Sequence, residues 1–455
     1  MAVTLFDSLT RSERPFEPLV GATVRLYTCG PTVYRSQHIG NYRTFIFEDT
    51  LRRMLLASGW RVKHVMNITD VGHLVSDADD GEDKVEREAR LTGKTAWDIA
   101  KYYEKEFIED IAALNILPPT KLVRATEHIT EQRALIKILE KKGFTYRTAD
   151  GIYFDTSKLA NYGELAGRDQ RTIQAGSRVA IGEKQNSTDF ALWKFSKTAE
   201  KKRDMEWPSP WGVGFPGWHI ECSAMSMKYL GKTLDIHCGG ADHREIHHPN
   251  EIAQSEAATG KTFSRFWMHS AFLTVKGEKM AKSSPETNIT IAILRERGFD
   301  PLDFRYFVLG THYRKPLSFS WEALEGARTA RLKLVGSLAN LPKRKARADD
   351  DMKKDILAAF ADNLAAPQAL ARLWQGIRES ASRPAVLWAD HLFGLNLAHV
   401  PVTSPIPLDI QALADAREAY RQSKDWQKSD EMREKLTALG WRVEDTPHGP
   451  VVHKI

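Results

Sequence analysis

The sequence is poor in several features that define specialised classes of protein. Its three cysteines in 455 residues are too few for a disulfide scaffold, and they indicate a reducing compartment, by default the cytoplasm. No window approaches the run of about 20 apolar residues that crosses a bilayer. The N-terminal stretch MAVTLFDSLTRSERP lacks the apolar core of a signal peptide. We therefore expect a cytoplasmic chain with no membrane partner.

The composition excludes further classes. With 42% hydrophobic and 27% charged residues, the chain is neither disordered nor collagen-like nor a coiled coil. Its length exceeds what one core usually serves, and a prior of about 100–200 residues per domain suggests two to four domains. The net charge of +6 is small for this length and does not by itself indicate nucleic acid. Function must therefore be inferred from motifs.

A strand, loop, helix and strand follow one another near the N-terminus. The apolar segment 22–30 predicts a strand, 30–41 a glycine- and proline-marked loop, 43–59 a helix and 61–70 a second strand. This is a βαβ unit, the building block of doubly wound α/β folds, whose ligands lie beyond the carboxyl ends of the strands. Here that edge holds Cys29, the HIGN turn and the NITD segment.

The rest of the chain is predicted to interrupt and then resume this fold. A short, turn-rich α/β insertion is expected at 119–205, and 235–260 reads as strand, glycine turn and helix. From 287 to about 397 the pattern is almost wholly helical. The final module, 410–455, is predicted to hold one long charged helix and a short strand.

Two segments could bind phosphate. His38, Gly40 and Asn41 lie where a strand has turned and a helix begins, and a helix N-terminus offers free N–H groups and a positive dipole end. The alternative is a plain turn with Asn41 as the helix N-cap. Lys279 and Lys282 lie in a polar loop and suit the charge that develops on a leaving pyrophosphate; a solvated basic loop is the alternative.

Thiol, imidazole and carboxylate side chains recur in three short segments. Such groups build a tetrahedral zinc site when the fold brings them together. No CxxC pair is present, so the spacings alone are weak, and a buried free cysteine is the commoner alternative. The residues concerned are Cys29, Cys222, Cys238, His237, His243, His247, His248 and Glu251.

The combination of motifs, in this order, resembles one family. HIGN is similar to a HIGH signature and KMAKS to a KMSKS signature, and PGWHIECSAMS, DIHCGGAD and HHPNEIAQSEA lie between them. WPSPWG, WMHSAFLTV, RYFVLGTHYR and KDWQKSDEMREKL extend the match nearly from end to end. The chain resembles the cysteinyl-tRNA synthetases, which are class I aminoacyl-tRNA synthetases. The resemblance implies a Rossmann-type nucleotide-binding domain split by an insertion, then a helical bundle and a small C-terminal module.

The resemblance also implies the metal and the substrate pocket. One Zn²⁺ per chain would be held by Cys29, Cys222, His247 and Glu251 and would bind the thiolate of the substrate. Zinc prefers sulfur to a hydroxyl, and an apolar pocket separates cysteine from serine only poorly. Further pocket positions implied by the resemblance are Thr69, Trp218 and His237.

The implied activity is that of a cysteine–tRNA ligase that forms AMP and pyrophosphate. ATP, with Mg²⁺, would lie between His38, Gly40 and Asn41 on one side and Lys279 and Lys282 on the other. L-cysteine would be activated as its adenylate and transferred to tRNA(Cys), and the chain would act as a monomer.

The resemblance divides the chain into seven parts. They are 1–118, the first half of the catalytic domain; 119–205, the connective insertion; 206–264, the second half of the catalytic domain; 265–310, the KMAKS-bearing connector; 311–397, the helical bundle contacting tRNA; 398–409, a linker; and 410–455, the anticodon-side module.

Four positions depart from the pattern of the family. Asn41 replaces a His but keeps an amide donor, so we expect a weaker phosphate contact. Cys238 replaces a Gly and is expected to line the pocket, to compete for metal or to be a small buried thiol. Pro249 replaces a Glu and is compatible with a first helical turn. Ala281 replaces a Ser without expected consequence.

Two other functions remain open from the sequence. A cysteine ligase of the mycothiol pathway performs the same activation on an aminosugar acceptor but lacks the distal tRNA-reading module. The segment 410–455, with Trp426, Arg433 and Trp441 as candidate RNA contacts, favours tRNA. A non-catalytic RNA-binding paralogue would be expected to have lost a phosphate lysine or a zinc ligand.

Overall fold

The computed structural model describes residues 2–74, 82–167, 183–196, 203–275, 278–279, 288–399, 408–446 and 449–454. Its centre is a five-stranded parallel sheet with the order β11–β10–β3–β4–β5. The strands are β3 (Thr23–Thr28), β4 (Arg61–Ile68), β5 (Lys121–Arg124), β10 (Leu234–Gly240) and β11 (Ser264–Ser270). Every residue of β10 is buried, as expected of a strand that is covered on both faces of a parallel sheet.

Helices connect these strands and cover both faces of the sheet. They are α1 (Ile39–Ala57), α2 (Lys84–Thr92), α3 (Ala96–Ala113), α5 (Trp218–Leu230) and α6 (His247–Thr259). The chain runs from β3 to β4 and β5 on one side and from β10 to β11 on the other. The order of the strands therefore reverses between β3 and β10, and the carboxyl ends of these two strands form the crevice in which doubly wound folds bind ligands.

The insertion is a small layer of its own. It contains an antiparallel sheet in the order β6–β7–β8–β9, next to one helix. Its elements are α4 (Ile129–Lys141), β6 (Thr145–Arg147), β7 (Gly151–Phe154), β8 (Phe190–Phe195) and β9 (Gly214–Pro216). Helix α4 packs on both α5 and α6, which are the two helices that return the chain to the central sheet.

The second half of the chain is mainly helical. A small sheet in the order β13–β12–β14 is followed by helices that form a second apolar core. The elements are β12 (Leu273–Val275), β13 (Glu278–Lys279), α7 (Ile291–Glu296), α8 (Pro301–Leu309), β14 (Leu317–Phe319), α9 (Trp321–Ser337), α10 (Asp349–Ala361), α11 (Ala366–Arg378) and α12 (Arg383–Phe393). The last elements are α13 (Leu408–Gln422), α14 (Trp426–Ala438), β15 (Trp441–Thr446) and β16 (Gly449–Lys454).

A buried ion pair joins this helical region to the central domain. Arg305 of α8 donates to Asp49 of α1 over 2.5 Å and to the backbone carbonyl of Phe393 over 2.7 Å. Another of its N–H groups binds the carbonyls of Leu114 and Asn115. Arg305 is fully buried, and its partners come from three separate parts of the chain.

An N-terminal hairpin adds a further connection. It consists of β1 (Val3–Asp7) and β2 (Ser12–Phe16). The carboxylate of Asp7 accepts from the N–H of Trp267 in β11, over 3.0 Å. The N–H of Phe6 donates to the side chain of Asn363, whose own backbone N–H donates to the carbonyl of Thr4. The first strand of the chain is thus fixed between the edge of the sheet and the helical bundle.

The predicted α/β class, with a split nucleotide-binding domain, a helical bundle and a small C-terminal module, is confirmed, but several details differ. β5 lies within the range 119–205 that was expected to be insertion, yet it pairs with β4 in the central sheet. β11 crosses the expected boundary at 264/265 in the same way. The predicted single C-terminal helix is two helices, because Lys424 has φ +60° and turns the chain between them. None of the helices in the described ranges combines the length and apolar character of a membrane span.

Candidate active site and metal centre

A cavity of about 660 Å³ opens at the crevice between β3 and β10. Its floor includes Cys29, directly after β3, and its walls include Gly240, which ends β10. Both positions are at the carboxyl edge of the parallel sheet, where this class of fold binds ligands. Two further walls come from helices, the start of α1 and the start of α5.

The helix start at the cavity is capped by its own residues. His38 is the N-cap of α1, and its Nδ1 accepts from the N–H of Asn41 over 3.2 Å. The side-chain oxygen of Asn41 accepts in return from the N–H of His38, which completes a capping box. The N-cap is therefore His38, and the alternative with Asn41 as N-cap is wrong. His38, Gly40 and Asn41 all line the cavity.

The KMAKS loop is described only at its first residue. Lys279 ends β13, and its backbone pairs with Thr274 of β12. β12 continues directly from the cavity wall at Leu273. Lys282 and Ala281 lie outside the described residues.

Four side chains with metal-binding atoms meet at the floor of the cavity, three of them in its lining. Cys29, Cys222, His247 and Glu251 each offer one ligand atom, and these atoms all lie within 4.8 Å of one another. Helical spacing explains one of the pairings, because His247 and Glu251 are four residues apart on α6 and share one face. All four residues are buried. Cys29, Cys222 and His247 also line the cavity.

A second group of possible ligands overlaps with the first. Cys29, His237, His248 and Glu251 also place their ligand atoms within 4.8 Å of one another. Nε2 of His237 lies 3.0 Å from the carboxylate of Glu251, and Nε2 of His248 lies 3.3 Å from the sulfur of Cys29. Only Cys29 of this second group lines the cavity, whereas three residues of the first group do, so we regard His237 and His248 as the support behind the first group.

Imidazoles continue this support away from the cavity. His247 shares a hydrogen bond of 3.0 Å with His219, and His248 shares one of 2.8 Å with His269. His269 reaches the hydroxyl of Ser8, in the turn of the N-terminal hairpin. Ligands whose second nitrogen is held in this way are fixed in orientation and tautomer.

The charges of the four side chains are strongly coupled. Burial raises the pKa of the Cys29 thiol, and the neighbouring Cys222 raises it further. For Cys222 burial acts in the same direction, but the hydrogen bond with Cys29 and the charge of His247 outweigh it and lower its pKa to about 6. Together these values describe two thiols that hold one proton near neutral pH.

The imidazole and the carboxylate form the other half of the cluster. Burial disfavours the charge on His247, but Glu251 and Cys222 outweigh burial and raise its pKa to about 10. Burial likewise opposes the charge on Glu251, whereas His237 and His247 lower its pKa to about 2. The nitrogen of His247 and the carboxylate are 3.1 Å apart, so the pair is an imidazolium carboxylate when no metal is bound.

The expected pocket residues divide into two groups. Thr69 and Trp218 line the cavity. His237 is not among the residues that line the cavity, and its place in the substrate pocket stays a prediction. It is fully buried, stacks on Trp267 at 4.7 Å and holds Glu251 from behind.

Two departures from the family pattern are structurally simple. Cys238 follows His237 on β10, and alternation along the strand places it on the opposite face, in the second apolar core. Among the described residues it belongs to neither group of possible ligands, so it neither lines the cavity nor competes for metal. Pro249 lies in the first turn of α6, where its missing N–H breaks no helical hydrogen bond.

Several residues near the site were not identified from the sequence. His219 and His269 form part of the imidazole support, and His73, Lys84 and Thr32 line the cavity. Their position in sequence contains a partial signal. His219 lies three residues before Cys222 on one helical face, and His269 is at the carboxyl end of β11.

The fold is that of the class I aminoacyl-tRNA synthetases. Methionyl-tRNA synthetase from Mycobacterium tuberculosis, in complex with methionyl-adenylate, matches with a TM-score of 0.56 at 16% identity, over 83% of this chain and 89% of that one. The LeuRS–tRNA–LeuAMS complex from Agrobacterium radiobacter K84 matches with a TM-score of 0.54 at 11% identity, over 84% of this chain and 83% of that one. At such identities the likeness concerns the fold alone.

Sequence comparison narrows the class. Residues 15–329 match the family model of the class I (C) tRNA synthetase catalytic domain. Cysteine–tRNA ligase 1 of Burkholderia lata is 50% identical over 99% of this chain and 96% of its own length. A cysteine–tRNA ligase of Thermus thermophilus is 40% identical over 99% of both chains. The chain therefore belongs to the cysteine–tRNA ligase family, as the motifs predicted.

Proposed function

We propose that this chain activates L-cysteine with ATP and transfers it to tRNA(Cys). The observation that carries the proposal is the buried cluster of two thiols, an imidazole and a carboxylate, which opens into the same cavity as the capped start of α1. One end of such a cavity suits a thiol and the other suits phosphate. Two relatives that align with this chain over nearly their whole length are named cysteine–tRNA ligases, and these names support the same activity.

The donor set fits zinc. Two sulfurs, one nitrogen and one carboxylate oxygen within 4.8 Å are ligands that a tetrahedral Zn²⁺ accepts. We propose that Cys29, Cys222, His247 and Glu251 hold it, one ion per chain. When bound, zinc would favour a thiolate over a hydroxyl and would keep that thiolate deprotonated at neutral pH.

The chain's own residues would orient the amino acid. Trp218 and Thr69 line the cavity together with Cys222, and we propose that they form the wall against which the substrate side chain lies. An apolar wall alone would separate cysteine from serine only poorly. The selection would therefore rest on the sulfur-binding cluster, and no second, hydrolytic site is required.

The start of α1 would bind the phosphates of ATP, which carries Mg²⁺. Because Nδ1 of His38 accepts from the backbone, its ring proton is on Nε2, and this atom can donate to a phosphate oxygen. Gly40 has no side chain to obstruct the helix N-terminus, and Asn41 keeps an amide donor. Lys279 and Lys282 would stabilise the pyrophosphate that leaves when the cysteine carboxylate attacks the α-phosphorus.

The second half of the chain would bind tRNA. We propose that the connector 265–310 and the helical bundle 311–397 lie along the acceptor side, and that 410–455, after the linker 398–409, reaches the anticodon side. Trp426 is 58% exposed and Arg421 lies 5.9 Å from its ring, which suits base stacking. The proposal includes action in the cytoplasm by a monomer. Light scattering during size exclusion tests the monomer.

The decisive experiment measures exchange and transfer separately. Purified protein with ATP and Mg²⁺ is tested for exchange of pyrophosphate into ATP with cysteine and with serine, and then for transfer to tRNA(Cys). Exchange with cysteine but not serine, followed by charging of tRNA, is the expected result. Transfer only to the mycothiol-pathway aminosugar would identify the ligase alternative. Absence of exchange would leave the non-catalytic RNA-binding alternative.

A further inference from the structure

Two imidazoles stack on the indole of Trp218. The ring of His73 lies with its centroid 4.0 Å from that of the indole and the planes at 9°. His247 stacks on the same indole at 4.4 Å and 28°. All three residues line the cavity. Since His247 belongs to the candidate metal cluster, His73 is the outer of the two rings that fix the orientation of the indole.

Hydrogen bonds at both nitrogens hold the ring of His73 in place. Its Nε2 lies 2.5 Å from the ammonium of Lys84, and its Nδ1 lies 2.7 Å from the hydroxyl of Thr32. An ammonium group can only donate, so Nε2 accepts. The ring proton is therefore on Nδ1 and is donated to Thr32. The tautomer and the plane of the ring are both determined by neighbours that also line the cavity.

A glycine and two hydrogen bonds fix the backbone next to His73. Gly72 has φ +80°, and a Cβ atom there would lie 2.6 Å from the carbonyl oxygen of Pro216. Only glycine allows the chain to pass so close to the segment that leads into α5. The N–H of Gly72 donates to Asp83, and the N–H of Lys84 donates to the carbonyl of His73. These two hydrogen bonds thus hold the backbone at His73 beside the backbone at Lys84, its side-chain partner.

We infer that His73 is a positioning residue for the amino-acid pocket, acting through Trp218. The inference rests on the proposed function, because it takes Trp218 as a wall of that pocket. An indole held by two stacked imidazoles is already in the orientation that the substrate meets, so its side chain need not be ordered when the substrate binds. Lys84 and Thr32 fix the imidazole, the imidazole fixes the indole, and the indole closes the pocket beside Cys222.

Kinetics of two His73 variants test this role. An aromatic stack accounts for about 0.5–1.5 kcal/mol, so His73→Ala is expected to raise KM for cysteine about 2- to 13-fold. KM for ATP and kcat of pyrophosphate exchange should change by less than about 2-fold, since the contact concerns binding of the amino acid alone. His73→Phe keeps a flat ring and should restore most of the affinity for cysteine. An equal rise in both KM values, or no rise, would overturn the inference.

His128→Ala is the matched control. His128 also forms hydrogen bonds at both ring nitrogens and packs on an aromatic ring, that of Tyr229, but it lies outside the cavity lining. Its loss should leave KM for cysteine unchanged. If it raises KM as much as His73→Ala does, a general loosening of the fold explains both, and the positioning role is wrong.

A spectroscopic readout separates this inference from the proposed function. In protein labelled with 5-fluorotryptophan, the ¹⁹F line of Trp218 is identified by its loss in Trp218→Phe. We expect that line to move and broaden in His73→Ala and to stay unchanged in His128→Ala, whether or not the protein activates cysteine. An unmoved line would overturn the inference. Lack of cysteine-dependent exchange in the wild-type protein would instead overturn the proposed function.

Discussion

Loading the metal-free protein with Zn²⁺ should release about two protons near pH 7.5. In the metal-free protein at that pH, Cys222, with a pKa of about 6, is a thiolate, and Glu251, with a pKa of about 2, is a carboxylate. His247, with a pKa of about 10, is an imidazolium, and Cys29, whose pKa is raised by burial, is a thiol. Zinc binds thiolates and neutral imidazole, so the protons of Cys29 and His247 must leave.

The same values predict how the count changes with pH. The four side chains carry a net charge of about −1 before loading, and the cluster with its ion carries about −1 afterwards, because two protons are replaced by a divalent cation. Below the pKa of Cys222, about 6, this thiol is protonated as well. Near pH 5 the release should therefore rise to about three protons per ion, and the apparent affinity should fall accordingly.

Isothermal titration calorimetry in buffers of different ionisation enthalpy measures this count directly. Cys222→Ser should abolish tight binding because it removes a sulfur ligand. Cys238→Ala is the matched control and should leave both the affinity and the proton count unchanged, since Cys238 lies on the other face of β10. Release of no protons near pH 7.5, or the same release at both pH values, would refute this account of the cluster.

Three further predictions concern stability and tRNA. Arg305→Met leaves the buried carboxylate of Asp49 with one partner fewer and should lower the free energy of unfolding, measured by urea titration, by about 3–5 kcal/mol. The control Arg372→Met, at an exposed position, should change that free energy by less than about 0.5 kcal/mol. Burial raises the pKa of Asp70 to about 6, so the contribution of this carboxyl group to stability is present below about pH 4 and is lost as pH rises through about 6. Asp70→Asn should remove about 3 kcal/mol of that pH dependence. An unchanged profile of unfolding free energy against pH would contradict the assignment. Deletion of 408–455 should lower kcat/KM for tRNA by about 10-fold or more and leave pyrophosphate exchange within about 2-fold; unchanged charging would exclude a role for this module.

Local sequence patterns were sufficient to predict the elements at the centre of the fold. The apolar segment 22–30 and the periodic segment 43–59 predicted β3 and α1, because a buried parallel strand and a helix against a sheet leave strong signals. The four candidate ligands followed from the resemblance and not from spacing, since Cys29 and Cys222 lie far apart in sequence. Their proximity arises from the sheet, which places the end of β3 beside α5.

Other parts of the structure could not be predicted from short windows of sequence. The four residues of β5 are too few to show a period, and only pairing with β4 makes them a strand. The break between α13 and α14 occurs at Lys424, a residue that gives no sign of a positive φ. The imidazole support and the ring of His73 depend on contacts between residues tens to hundreds of positions apart, which no window of sequence contains.

The N-terminal hairpin has a consequence for how the chain is made. Residues 3–7 leave the ribosome long before Trp267 and Asn363, which hold them, are synthesised. At about 5–20 residues per second, β1 waits roughly 20–70 s for its final neighbour. During that interval the free edge of the hairpin has no cover and is open to pairing with another nascent chain. Folding of this protein in the cell is therefore exposed to error at β1 until translation has passed the middle of the bundle.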